Sequence, residues 1–142
     1  MSVSTARKQA VFGASDGLTL ALGFIAGMSG QPAHAIVRAA VAAGIAELVG
    51  MTAGSWLSDS NAGFRAALAN GAAALAACIV PVLPYLAGSS ARWADLATSL
   101  LLVTAVAGLI ACLREERGAA GLLQTFGILA LAAAACWAAS LI

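Results

Sequence analysis

The chain has 142 residues, of which 62% are hydrophobic and 9% charged, a net charge of +1 and a mean hydropathy of +0.97, against roughly 25% charged residues in an ordinary globular domain. That balance excludes a water-soluble fold. It also excludes nucleic acid as a partner, because there is no basic stripe and no aromatic platform alternating with Lys or Arg.

Five apolar runs follow one another between clusters of turn or charged residues, and each predicts a membrane helix. The first spans about 10–28 and stops at Ser29-Gly30-Gln31-Pro32, where Pro32 cannot continue a helix. Met1 to Ala10 is short and polar, and no A-x-A cleavage site follows an apolar stretch of signal-peptide length, so the first run is expected to remain as a true span. The second covers about 35–57 and ends at Ser58-Asp59-Ser60-Asn61, whose side chains can cap the helix that follows. The third, about 64–86, contains Pro81 and Pro84 and should kink or unwind near its end, where those residues remove backbone donors. The fourth is placed at about 96–113, after a loop holding Arg92 and Trp93, and the fifth at about 122–142, after Arg114-Glu115-Glu116-Arg117-Gly118. Only helices and closed barrels satisfy their backbone in lipid, and none of these runs alternates with period two. The expected fold is all-α: one polytopic domain, residues 1–142, with five transmembrane helices.

Basic residues set the expected orientation. Arg7, Lys8, Arg65, Arg114 and Arg117 fall on one side of the bilayer and Arg38 and Arg92 on the other. The positive-inside rule then places the N-terminus in the cytoplasm and the C-terminus outside; a bacterial inner membrane is the expected location. Tyr85, Trp93 and Trp137 on the outer side, and Trp56 on the inner, suit the interfacial aromatic belts.

Three residues carry the chemistry. Asp16 lies within the first run, and Glu47 and Met51 lie one turn apart in the second. A carboxylate at mid-membrane is disfavoured by about 2.5–3.5 kcal/mol on insertion scales, so its default reading is an ion or proton path. The alternative is a helix–helix contact that buries the acid, with Ser15, Thr19 or Asn70 as bonding partners for Asp16. Small-xxx-small pairs, Gly13 with Gly17, Gly23 with Gly27, and Gly50 with Gly54, predict close helix packing. At helical spacing Gly13, Asp16, Leu20, Gly23 and Gly27 form one stripe, and Gly44, Glu47, Met51, Gly54 and Ser58 another, which places the acids on packing faces.

Two carboxylates suit hard or borderline divalent ions, and a thioether offers nothing to magnesium or calcium, which leaves iron(II) or manganese(II) as the natural cargo. One copy has too few ligands for a full shell. A two-fold axis beside the first span would bring in a second Asp16, Glu47 and Met51, so a homodimer is expected. Protons and metal would compete for the same oxygens, the physical basis of proton-coupled exchange. No permanent cofactor is implied. The single cysteines Cys78, Cys112 and Cys136 read as small core hydrophobes, His34 as a solvated loop residue, and Arg92 with Asp95 as interfacial loop charges. With no nucleophile–base pair, phosphate loop or second histidine, an enzyme is not expected.

At these same positions the chain resembles the vacuolar iron transporter family. Phe12-Gly13-Ala14-Ser15-Asp16-Gly17-Leu18 is similar to the family's G-A-N-D-G motif, Gly50-Met51-Thr52-Ala53-Gly54-Ser55-Trp56-Leu57-Ser58 to S-M-A-x-G-E-Y-x-S, and Pro81-Val82-Leu83-Pro84-Tyr85-Leu86 to P-L-x-P-Y. The resemblance implies a homodimeric exporter of ferrous iron or manganese that exchanges metal for protons along a path between subunits, with Asp16 as translocation carboxylate and Met51 as thioether ligand. Two departures qualify it. Ser55 stands where the motif has Glu, and only Ser58 to Gly63 stands where many relatives insert a cytoplasmic metal-binding domain. Glu47 is our substitute for the missing carboxylate. The competing expectation is a family relative that no longer transports and serves as an accessory or structural subunit of a larger membrane complex.

Overall fold

The computed structural model describes residues 3–28, 30–58, 63–87, 92–113 and 119–139. The described residues form five α-helices, α1 (Val3–Gly27), α2 (Ala33–Ser58), α3 (Phe64–Ile79), α4 (Arg92–Leu113) and α5 (Ala119–Ala139), with a 3-10 segment, Val80–Ala87, continuing α3. No strand occurs among the described residues. The stretches Thr5–Gly27, Ala33–Ser58, Phe64–Leu86 and Ala94–Leu113 are each long and apolar enough to cross a bilayer, and α5 contributes the shorter apolar stretch Leu123–Cys136. Ala94–Leu113, the shortest of the four at 20 residues, covers a hydrocarbon layer about 30 Å thick at about 1.5 Å per residue. The protein is an all-α polytopic membrane protein.

Local chemistry explains the helix ends. The Met28 carbonyl accepts from Gln31 N–H at 2.8 Å, closing the turn after α1, and the Pro32 carbonyl then accepts from Ala35 and Ile36 to open α2. Pro32 thus sits where its missing N–H costs nothing. The Gly63 carbonyl opens α3, accepting from Ala66 at 2.8 Å, and no side chain caps that end. The capping expected of Ser58 to Asn61 falls largely on 59–62, outside the described residues. At the far end, α3 passes into 3-10 geometry at Val80, because Pro81 and Pro84 cannot donate to an i→i−4 ladder. Two expected boundaries shift. Helix α1 begins at Val3, seven residues before the apolar run, because Ala6, Arg7, Lys8 and Gln9 are good helix formers that extend it. Helix α4 begins at Arg92, four residues before Leu96, and so includes the stretch expected as loop.

Helix α3 is the spine. Its buried residues, Ala66, Ala67, Asn70, Gly71, Ala74, Ala77 and Cys78, recur at helical spacing along one broad face. Helices α1 and α2 each pack extensively on α3 and touch one another far less, while α4 and α5 lie against α1. The core joins Leu18, Leu22 and Ile25 of α1 to Ile36 and Ala40 of α2, Cys78 of α3, Val82 and Tyr85 of the 3-10 segment, and Val103, Ala107 and Ile110 of α4. The outward side of α2 exposes Val41, Ile45, Val49, Trp56 and Leu57, a surface whose solvent is lipid.

Candidate functional site

Glycines decide where the backbones approach. A Cβ at Gly13 would overlap the Asn70 carbonyl oxygen, and one at Gly17 would lie 2.7 Å from the Ala74 carbonyl carbon, so this pair seats α1 on α3. Gly23 and Gly27 instead face α5, at 3.2 Å from Cys136 Sγ and 3.7 Å from its carbonyl oxygen. Gly50 and Gly54 have nothing within 4 Å, so the close packing expected of them is not met inside this chain. Their faces are turned away from α3, which α2 meets through Gly44, against Leu75 and Cys78, and through Gly71 of α3, against Leu48 and Thr52. Gly71 was legible only as half of an Ala67/Gly71 small-xxx-small pair in an alanine-rich run, too common a pattern there to stand out.

The supposed stripe on α1 therefore divides. Gly13 and Gly17 turn to α3, Gly23 and Gly27 to α5, and Asp16 is exposed, in line with Lys8 and Phe12. This corrects the expectation that Asp16 shares one packing stripe with Gly13, Gly23 and Gly27. A turn of 3.6 residues puts Asp16 about 60° away from Gly13 around the axis, enough to leave the contact. On α2, Glu47 and Met51 are half-buried. The Glu47 Oε2 atom is buried without a hydrogen-bond partner. Asp16 and Glu47 nonetheless stand close enough for their charges to interact, and the Cys78 thiol, which donates to the Ala40 carbonyl at 3.5 Å, also lies within reach of Glu47.

The donors that could have capped Asp16 are engaged elsewhere. Ser15 Oγ donates to the Val11 carbonyl and Thr19 Oγ1 to the Ser15 carbonyl, both at 2.9 Å, and each hydroxyl has one hydrogen to give. Asn70 Nδ2 donates to Ser55 Oγ, which donates in turn to Gln9 Oε1 at 3.3 Å. A chain of neutral groups thus links α3, α2 and α1 at the end of the bundle where α1 begins. Nothing in the sequence flagged Gln9 as part of it.

At the opposite end, Asp95 corrects a second expectation. It is only 6% exposed, in the first turn of α4, with the buried Tyr85 within its electrostatic reach. The helix N-terminus favours a carboxylate there. Tyr85 is 8% exposed, a core residue rather than part of an interfacial belt, whereas Trp56 is exposed and meets Phe64 edge-on at 5.9 Å. His34 is exposed, as expected, but lies in the first turn of α2 rather than in the loop before it, and Arg38 one turn on is exposed too. The charges at Arg114 to Arg117 lie outside the described residues.

Among the described residues no three His, Cys, Asp or Glu side chains converge, so one chain offers a divalent ion the two carboxylates and the nearby thioether of Met51. The arrangement defines a helical membrane protein with a paired acidic position between its first two spans. Residues 7–63, essentially α1 and α2 and so all three candidate ligands, match the model of the VIT family. Its members are divalent metal transporters rather than enzymes. No curated protein and no solved structure matches the chain.

Proposed function

We propose that the protein is a transporter of iron(II) or manganese(II), working as a homodimer and exchanging the metal for protons as it leaves the cytosol. The observation that carries this reading is the placement of Asp16: a mid-span carboxylate, exposed on the outside of its own chain, within electrostatic reach of the half-buried Glu47. Left against hydrocarbon it would be disfavoured by about 2.5–3.5 kcal/mol or more. A second copy related by a two-fold axis removes that cost, adds a further Asp16, Glu47 and Met51, and can approach closely where Gly50 and Gly54 leave α2 bare. The metal is then held by carboxylate oxygens with a thioether that discriminates against magnesium and calcium. Protons reaching the same oxygens release it. The exposed Arg7, Lys8 and Arg65 at the end where α1 and α3 begin support a cytoplasmic N-terminus.

One observation favours a second reading, a non-transporting accessory subunit: Ser55, at the position where the resembled motif carries Glu, is engaged in a neutral hydrogen-bond chain. Uptake of manganese or iron into proteoliposomes under a pH gradient separates the two. Asp16→Ala and Glu47→Ala should each abolish pH-driven uptake. Parent protein that moves no metal, or variants that move it as well as the parent, would leave the accessory role.

A further inference from the structure

The helices that bear the acids touch each other far less than each touches α3, on which both are seated. Their relative register is therefore set by a third element, and the side chain that reaches both is Asn70, which is 1% exposed. Its Oδ1 lies against Gly13, where an added Cβ would come within 2.5 Å of it, and accepts no hydrogen bond. That leaves it covered by the Gly13 Cα–H face, a weak but short-range contact available only where the opposing residue lacks a side chain. Its Nδ2 donates to Ser55, and Ser55 returns the connection to Gln9 on α1. Gly13 precedes Asp16 by three residues and Ser55 follows Met51 by four. Each contact is thus about one turn from a candidate ligand.

The geometry points to Asn70 as a positioning residue: with Ser55, it sets the spacing and register of Asp16 against Glu47 and Met51, and so tunes the affinity and selectivity of the cation site without touching the cation. The inference rests on the transport reading above. A neutral group suits the task. It fixes two helices by directional bonds without adding a charge that would compete for the ion, and it acts as the groups behind metal ligands do elsewhere, where removing one typically lowers metal affinity roughly 10- to 100-fold.

Manganese(II) binding to the purified full chain, followed by the electron paramagnetic resonance spectrum of the bound ion, tests this. Ser55→Ala and Asn70→Leu should each weaken binding by about tenfold or more and alter the zero-field splitting, which reports ligand geometry. The double variant should be no worse than the poorer single one, because both break the same link. Ser55→Thr, which keeps the hydroxyl, should bind within about twofold of the parent. Loss of affinity with an unchanged spectrum, or an equal loss in Ser55→Thr, would overturn the positioning role. So would unchanged binding in Ser55→Ala, which spares the buried amide and so guards against an Asn70→Leu chain that fails to fold. Asp16→Asn separates the levels: if it removes binding while Ser55→Ala does not, only the role of Asn70 falls, and if it leaves binding intact, the transport reading falls with it.

Discussion

Replacing Gly17 by alanine puts the packing argument at risk most directly. The new methyl carbon would lie 2.7 Å from the Ala74 carbonyl carbon and 2.9 Å from its Cα, with the carbonyl oxygen nearer still, and Cβ atoms essentially never approach anything closer than 3.0 Å. All three obstacles belong to backbone, so no side chain can swing aside; α1 must lift off the spine. Overpacking in a well-filled interior costs typically 1–3 kcal/mol and occasionally more, and a rigid backbone contact belongs at the upper end, about 3 kcal/mol. Gly54→Ala is the internal control. Nothing lies within 4 Å of its Cβ position, so that change should be neutral within about 0.5 kcal/mol. Thermal unfolding of the two purified variants in the same detergent should separate them by roughly 8–12 °C at about 3–4 °C per kcal/mol. Equal melting temperatures, or a less stable Gly54→Ala, would refute the placement of α1 on α3 through its first glycine pair.

Three further outcomes are expected. Met51→Leu keeps the volume of the side chain but deletes its sulfur, so stability should change by less than about 1.5 kcal/mol while competition assays show the preference for iron or manganese over magnesium reduced; an unaltered preference would remove Met51 from the ligand set. Asp95→Ala removes a buried carboxylate from the first turn of α4 and should cost about 1–3 kcal/mol in thermal melts, against near zero for the loop charge expected from sequence. A cysteine placed at the exposed His34 in a chain free of other cysteines should react with a membrane-impermeant maleimide added outside intact cells. Labelling only after the cells are opened would invert the proposed orientation.

Run length, the polar breaks between runs and the positions of Pro32, Pro81 and Pro84 were enough to anticipate five helices, their approximate limits and the change of geometry after Ile79. These are local matters: in lipid the backbone must bond to itself, and a proline without a donor interrupts it wherever it falls. The acids and Met51 were equally visible, because a carboxylate inside an apolar run is conspicuous in one dimension. Which residues those helices present to one another was decided only in three dimensions. The small-xxx-small pattern occurs on many faces of an Ala- and Gly-rich chain, and nothing local distinguishes Gly17, pressed on Ala74, from Gly54, facing open space. The outward position of Asp16, the burial of Asp95 and the bridge from Asn70 through Ser55 to Gln9 likewise depend on pairings across many residues of sequence. Helix association in a membrane is governed by the shape of the contact rather than by hydrophobicity, since every face is about as apolar as the lipid it leaves, and shape is a property of two surfaces together.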